Sequence, residues 1–335
     1  VEEAATAFHA AAVLNPKSLE PHREMANLYG SIGYLDRSVA NLERLLALAP
    51  NDTDTLVRLG HIYIELAWQD RAGPLLTHAV QLAPDLPAAQ YEMARYEWET
   101  AHSEASVKRL DAFHIKNPDA LQITAKLAEY QMALQHNREA ESMLIEALRR
   151  LPGAQELERL LAYNWIKQGD SARLKSALDL LNRMIAAGMS DAEPYCRLGQ
   201  VYERLKHYPE AVTAYEAATR RDPTFENASL ALGRLYLRLG RTNEGERLIQ
   251  FYKTINTNMQ AYSQAHERVR KQYKDPGAHL EVALLDVKAN RLPESILEFR
   301  RVLALRPNDP RAKQGLKQAL QKMGRRAEAD AIALR

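Results

Sequence analysis

The chain has 335 residues, 46% of them apolar and 26% charged, a balance that excludes gross disorder. Ala, Leu, Arg, Glu and Gln are plentiful while Val, Ile and Thr are sparse, which favours helix over strand. The net charge of +2 gives no reason to expect a polyanion partner, and the lone Cys196 excludes an internal disulfide.

Charge is uneven along the chain. Residues 1–170 carry 16 basic and 24 acidic side chains, and residues 171–335 carry 29 and 19. No apolar run approaches the length of a membrane span. The chain starts without Met inside a helical pattern, so it reads as a fragment or processed form. A targeting segment could then be missing, and the cytoplasm is the favoured compartment.

The predicted elements follow a beat set by proline. Pro16, Pro50, Pro84, Pro118 and Pro152 fall 34 residues apart, each ending an apolar run, and Pro223 and Pro307 end similar runs. Residues 1–18 read as a lone second helix, with Ala4, Phe8 and Ala11 in register. Units of two helices then begin near residues 19, 53, 87, 121, 155, 192 and 226. In "LVRLGHIY", Leu56, Leu59, Gly60 and Tyr63 share one helical face, as do Tyr195, Leu198, Gly199 and Tyr202 in "YCRLGQVY". A turn follows, then a second helix stopped by the proline. Pro209 and Pro293 stand where second helices begin, a tolerated place. The unit from 155 is three residues long, with the excess expected in the connection or first helix around "KQGDSARLK".

The beat fails at "YKTINTNMQAYSQAHERVRKQYKDP", Tyr252 to Pro276. Tyr252, Ile255, Met259, Tyr262, His266, Val269 and Tyr273 form a heptad-like stripe that argues for one long helix. The poor helix formers Thr254 to Asn258 argue for a break or kink, which is the expectation adopted. Its outer face, with Arg268, Arg270, Lys271 and Lys274, is a contact candidate or a solvated basic face. A further unit begins near 276, and a terminal helix pair covers 310–335.

The period and the Leu, Gly and Tyr places resemble the tetratricopeptide repeat. Gly60, Gly199 and Gly233, or Ala26, Ala94, Ala128 and Ala162, are small where helices cross. Ala4, Ala72, Ala140, Ala177 and Ala211 are small on second helices. Glu97 and Gln131 replace the usual aromatic, Gly245 the small alanine, and Thr257 the proline. The resemblance implies an all-α, right-handed superhelical solenoid of antiparallel helix pairs, with an irregular helical insertion near 256–275. The expected division is a main solenoid at 1–255, an inserted or extended helix at 256–275, and a C-terminal module at 276–335.

No motif carries chemistry: there is no HExxH, Gly-rich phosphate loop or GxSxG. No enzyme activity and no cofactor are expected. In the family the first helices line a concave groove that holds peptides, and the matching positions give the candidate site. They are Arg23 and Asn27, then His61, then Tyr91, Arg95 and Trp98. Arg159, Tyr163 and Lys167, then Arg197 and Arg204, and finally Arg234 and Arg238 continue the series. Tyr91, Arg95 and Trp98 combine two aromatics and a guanidinium, the usual binding anchors. Trp98 reads equally as a core residue displaced from the aromatic place held by Glu97. The later cations would form a basic stripe able to clamp an acidic peptide, or are ordinary solvated arginines.

The family's chaperone-tail clamp is not carried over, since Arg58, Ala88 and Glu92 stand at its places. The asparagine ladder fails likewise, with Glu24, Arg58, Glu92, Lys126, Leu160, Arg197 and Ala231 in its positions. The leading expectation is a protein-interaction scaffold with a protein or peptide partner. The alternative is a substrate-recruiting or regulatory region of a larger enzyme or of a secretion or envelope assembly. Nucleic acid is disfavoured because basic residues alternate with acidic ones. The Ala-, Leu- and Arg-rich repeats suggest a bacterial source.

Overall fold

A computed structural model of the chain describes residues 2–31, 35–223, 225–272 and 274–332. Among these residues every regular element is an α-helix, and the residues form two compact units. One unit holds residues 1–101 and 260–335, the other residues 102–259.

In the first unit α1 (Glu2–Leu14) is a lone second helix. Three first helices follow: α2 (Glu20–Ser31) and α4 (Thr53–Glu65), each paired with a second helix, α3 (Leu35–Leu48) and α5 (Gln69–Leu82), and then α6 (Pro87–Glu99). The second unit holds α7 (Ser103–Lys116), α8 (Leu121–Ala133), α9 (Asn137–Arg150), α10 (Gln155–Gln168) and α11 (Ser171–Ala186). It continues through α12 (Ala192–Arg204), α13 (Tyr208–Arg221), α14 (Glu226–Arg238) and the first part of α15 (Thr242–Lys271). The end of α15, α16 (Pro276–Lys288), α17 (Leu292–Leu305), α18 (Pro310–Lys322) and α19 (Arg326–Asp330) belong to the first unit.

The proline beat sets the helix ends. α1, α3, α5, α7, α9, α13 and α17 each stop two residues before their proline. Proline excludes its predecessor from the helical region, and its ring clashes with the preceding turn. Pro209 and Pro293 take the second position of α13 and α17, where no intrahelical donor is needed.

The small residues allow helices to touch. A Cβ on Gly60 would lie 2.4 Å from Leu76 Cδ2, and one on Gly199 would lie 2.6 Å from the Tyr215 ring. Ala26, Ala94, Ala128 and Ala162 are buried at the equivalent place. First and second helices therefore pack closely within a pair, α4 on α5 and α12 on α13, and first helices also meet within a unit: α4 with α6, and α8, α10 and α12 in series. The cluster of Ala128, Leu144, Leu157, Leu161, Leu181 and Val201 is the core this builds in the second unit. Each such leucine, removed from water, contributes roughly 1.5–3 kcal/mol.

A second period of 34 lies in the turns. Ala67, Ala101, Gln135 and Gly169 all have positive φ, as do Lys206 and Gly240, and Asn290 and Gly324. The residue after the turn donates back across it, for example Trp68 N to Tyr63 O at 2.7 Å and His136 N to Gln131 O at 2.8 Å. This left-handed cap satisfies carbonyls at the end of each first helix and aims the second helix back along it.

The three extra residues of the unit from 155 sit at the start of its second helix. Gly169 keeps the 34-residue step from Gln135, but buried Ala177 lies eight residues past it, where Ala140 lies five past Gln135. α11 is accordingly 16 residues long, against 14 for α9.

No break forms at Thr254–Asn258: α15 is one helix of 30 residues. The hydroxyls of Thr254 and Thr257 donate to the carbonyls of Gln250 and Lys253 at 3.1 and 2.9 Å, an internal solution to threonine's poor propensity. The stripe is real further on, where Ala265 and Val269 are buried against Ala278 and Val282 of α16, with Tyr262 beside them. Tyr273, and the side chains of Ile255, Met259, Arg270 and Lys271, lie outside the described residues. Arg268 pairs with Glu281 at 2.7 Å, and Lys274 is exposed.

Candidate functional site

The candidate residues of the first unit lie on α2, α4 and α6, and repeat spacing puts Asn27, His61 and Arg95 at one position of successive first helices. Arg23 lies 3.6 Å from Asp52 and 3.9 Å from Glu20. Asn27 donates to Glu24 at 3.5 Å. His61 and Arg95 are brought together by carboxylates. Arg95 donates to Glu92 at 3.0 Å and pairs with Glu65, while Nδ1 of His61 lies 3.0 Å from Glu92 and 2.9 Å from Arg95. Nδ1 cannot both donate to the carboxylate and accept from the guanidinium. The hydrogen bond to Glu92 raises the His61 pKa above its ordinary value, which favours the form that donates to Glu92.

Tyr91 and Trp98 are partly exposed. The core role open to Trp98 is taken instead by Tyr96. Its ring occupies the space beside Gly73, where a Cβ would meet the hydroxyl at 2.6 Å, and it packs on the Ala72–Leu76 cluster.

In the second unit Arg159 and Arg197 converge on Glu193. Arg159 and Arg197 approach that carboxylate at 3.3 and 3.4 Å, and Arg159 also pairs with Asp191. The Arg197 guanidinium lies over the Tyr163 ring, 4.5 Å from its centre, leaving that side chain 36% exposed. This cation–π contact holds an aromatic edge open to solvent in a fixed setting.

Lys167 and Arg204 do something else. Lys167 donates to the carbonyl of Met132, and Arg204 to that of Ile166 at 2.5 Å. Each thus caps the C-terminal end of the preceding first helix, where backbone carbonyls lack partners and the macrodipole favours a cation. Arg238 lies 3.8 Å from Glu203 and over Tyr208. Arg234 is exposed, with no ion pair among the described residues. Most of the basic stripe is therefore engaged within the chain. Two of its signals were readable, since Glu92 and Glu193 precede Arg95 and Arg197 at helical spacings of three and four. The reach of Lys167 and Arg204 to backbone carbonyls had no such signal.

Cys196 is buried, and burial pushes its thiol up to about 12, which suppresses the nucleophilic thiolate. Among the described residues no three His, Cys, Asp or Glu side chains gather as a metal site, and no helix is long and apolar enough to cross a membrane.

The fold and this surface define a class: stacked antiparallel helix pairs that present polar and aromatic side chains along their first helices. Residues 53–86 and 192–225 each match the Tetratricopeptide repeat family. The chain is a tetratricopeptide-repeat protein, a family of protein-interaction scaffolds that are generally non-catalytic. A stretch of 102 residues is 29% identical to anaphase-promoting complex subunit 7 of Arabidopsis thaliana, covering 30% of this chain and 15% of that subunit's length. A tetratricopeptide repeat protein from Parabacteroides merdae superposes with a TM-score of 0.51 at 11% identity, over 80% of this chain and 98% of that one. The APC/C hetero-tetramer Cut9-Hcn1 gives 0.50 at 16% identity, over 94% of this chain and 59% of its own. At such identities these structures show the shared fold.

Proposed function

We propose that this chain is a non-catalytic scaffold whose first helices bind an extended segment of a partner polypeptide. The observation that carries the reading is Arg159 and Arg197 paired with Glu193, with Arg197 lying over the Tyr163 ring. An exposed ring beneath an anchored guanidinium is ordered before binding, so a partner loses little conformational freedom in using it. Arg234 and Arg238, on α14, offer charge to an acidic side chain, with Arg234 exposed and without an ion pair among the described residues. Residues 1–255 form the binding array in this reading, 256–275 an extension of α15, and 276–335 a terminal module.

The test is site-specific photo-crosslinking with a probe amino acid at Gln200 or Arg234, compared with the probe at Lys175, exposed on α11. Polypeptide crosslinks from Gln200 and Arg234 that vanish in Tyr163→Ala, with helicity unchanged, support the reading. Crosslinks equal in Tyr163→Ala, or only nuclease-sensitive ones, contradict it. The 29% identity to a subunit of a multisubunit complex favours a second reading, in which the array recruits partners into a larger assembly.

A further inference from the structure

The signature aromatic of a repeat does more here than fill space. Tyr63 donates to Glu43 of the preceding second helix at 2.7 Å, and Arg71 of the following helix lies over the ring and reaches the same carboxylate at 3.4 Å. Tyr236 donates to Glu216 at 2.5 Å with Arg241 over its ring, and Trp165 donates to Glu141 at 2.7 Å with Arg173 on that carboxylate. In all three a ring donor meets a carboxylate with an arginine beside it, on both groups at Tyr63, on the ring at Tyr236 and on the carboxylate at Trp165; we call this group a bracket.

Two repeats after Tyr63, Glu43 and Arg71 stand Gln131, Asp111 and Glu139. The carboxylate is kept, while the aromatic and the arginine are both gone. These three residues line one open cleft of about 710 Å³ between α7 and α9, with Val107, Lys108 and Met143 on its walls. No aromatic residue lines it. Gln131 is only 8% exposed, and its Oε1 is buried without a hydrogen-bond partner among the described residues. A buried amide oxygen left unpaired is costly, and rotation of the amide would present it to a donor in the cleft. Its walls combine apolar surface with a few polar groups.

We propose that this cleft is a docking site on the second-helix face for a partner polypeptide that supplies the two missing members of the bracket. The occupant is a tyrosine or tryptophan side chain next to a basic residue. The ring enters against Val107 and Met143, its O–H or N–H donates to Gln131 Oε1, and the neighbouring cation pairs with Asp111 and Glu139. The site is separate from the first-helix surface, because eight of its nine lining residues belong to α7 and α9.

The experiment titrates acetyl-Tyr-Arg-amide into the full chain carrying ¹³C-methyl methionine and follows the Met143 resonance, assigned with Met143→Leu. The expected result is a saturable ring-current shift, with at least ten-fold weaker binding for acetyl-Ala-Arg-amide and for acetyl-Tyr-Glu-amide. Gln131→Tyr restores the bracket's own ring and abolishes the shift. Ser142→Trp, on an exposed position at the rim, does the same if Gln131→Tyr fails to fold. A Met143 resonance that does not move up to the solubility limit overturns the proposal. So does one that responds equally to all three dipeptides, or equally in a folded blocking variant.

Discussion

The repeat around Tyr63 and the repeat around Gln131 share helix lengths, turn geometry and a buried core, yet one closes its outer face and the other leaves it open. In the first, the ring is 4% exposed and held by Glu43 and Arg71. In the second, an amide with an unpaired oxygen stands over a cleft. The difference teaches that the stacking core and the outer bracket are separable: Leu127 and Ala128 are fully buried without any aromatic beside them at 131.

If so, opening the closed repeat should be costly in proportion to the ring removed. Tyr63→Gln should lower stability by about 3–5 kcal/mol, measured by urea denaturation, because it empties a filled slot and leaves Glu43 with Arg71 alone. Crowding a helix crossing in the core should cost less. Gly199→Ala puts a Cβ against the Tyr215 ring, itself 1% exposed, and should cost about 1–3 kcal/mol by the same measurement.

Two controls within the Tyr63 repeat should leave the slot untouched. Ala67 sits at φ 55°, so Ala67→Gly relieves left-handed strain and should raise stability by about 0.5–1 kcal/mol. His61 should give the smallest effect. Its hydrogen bond to Glu92 raises its pKa, so its contribution to stability is full below about pH 6.5 and is lost as pH rises through the raised value. In Glu92→Gln an NMR titration of His61 should show the pKa falling back to its ordinary value of 6.5 or below it.

Much of the fold was legible because packing repeats in sequence. The prolines marked the ends of seven second helices, though not of α11 or α15, and the Gly and Ala places marked the crossings. The left-handed turns were not legible at Ala67, Gln135 and Lys206, because tertiary packing imposes there a conformation that only glycine or asparagine would have announced. The long α15 was misread because threonine propensity was weighed above the burial stripe, and propensity yields to packing. The first-helix surface was legible as a set of positions but not as a state of charge. Whether Arg159 or Arg197 is free depends on Glu193 and Asp191, and Asp191 lies in the turn before α12. The cleft had a partial signal in Gln131, but its meaning needed Asp111 and Glu139 placed beside it.

The reciprocal of the first substitution tests the separability of core and bracket most directly. Gln131→Tyr puts a ring into the open slot within reach of the carboxylate of Asp111, at a position whose core already packs without it. Compared with Tyr63→Gln by urea denaturation, it should shift stability in the opposite direction, upward by about 0.5–2 kcal/mol, with unchanged helicity. If Gln131→Tyr lowers stability as Tyr63→Gln does, the two slots are not equivalent and the reading of the cleft as an unfilled bracket is wrong.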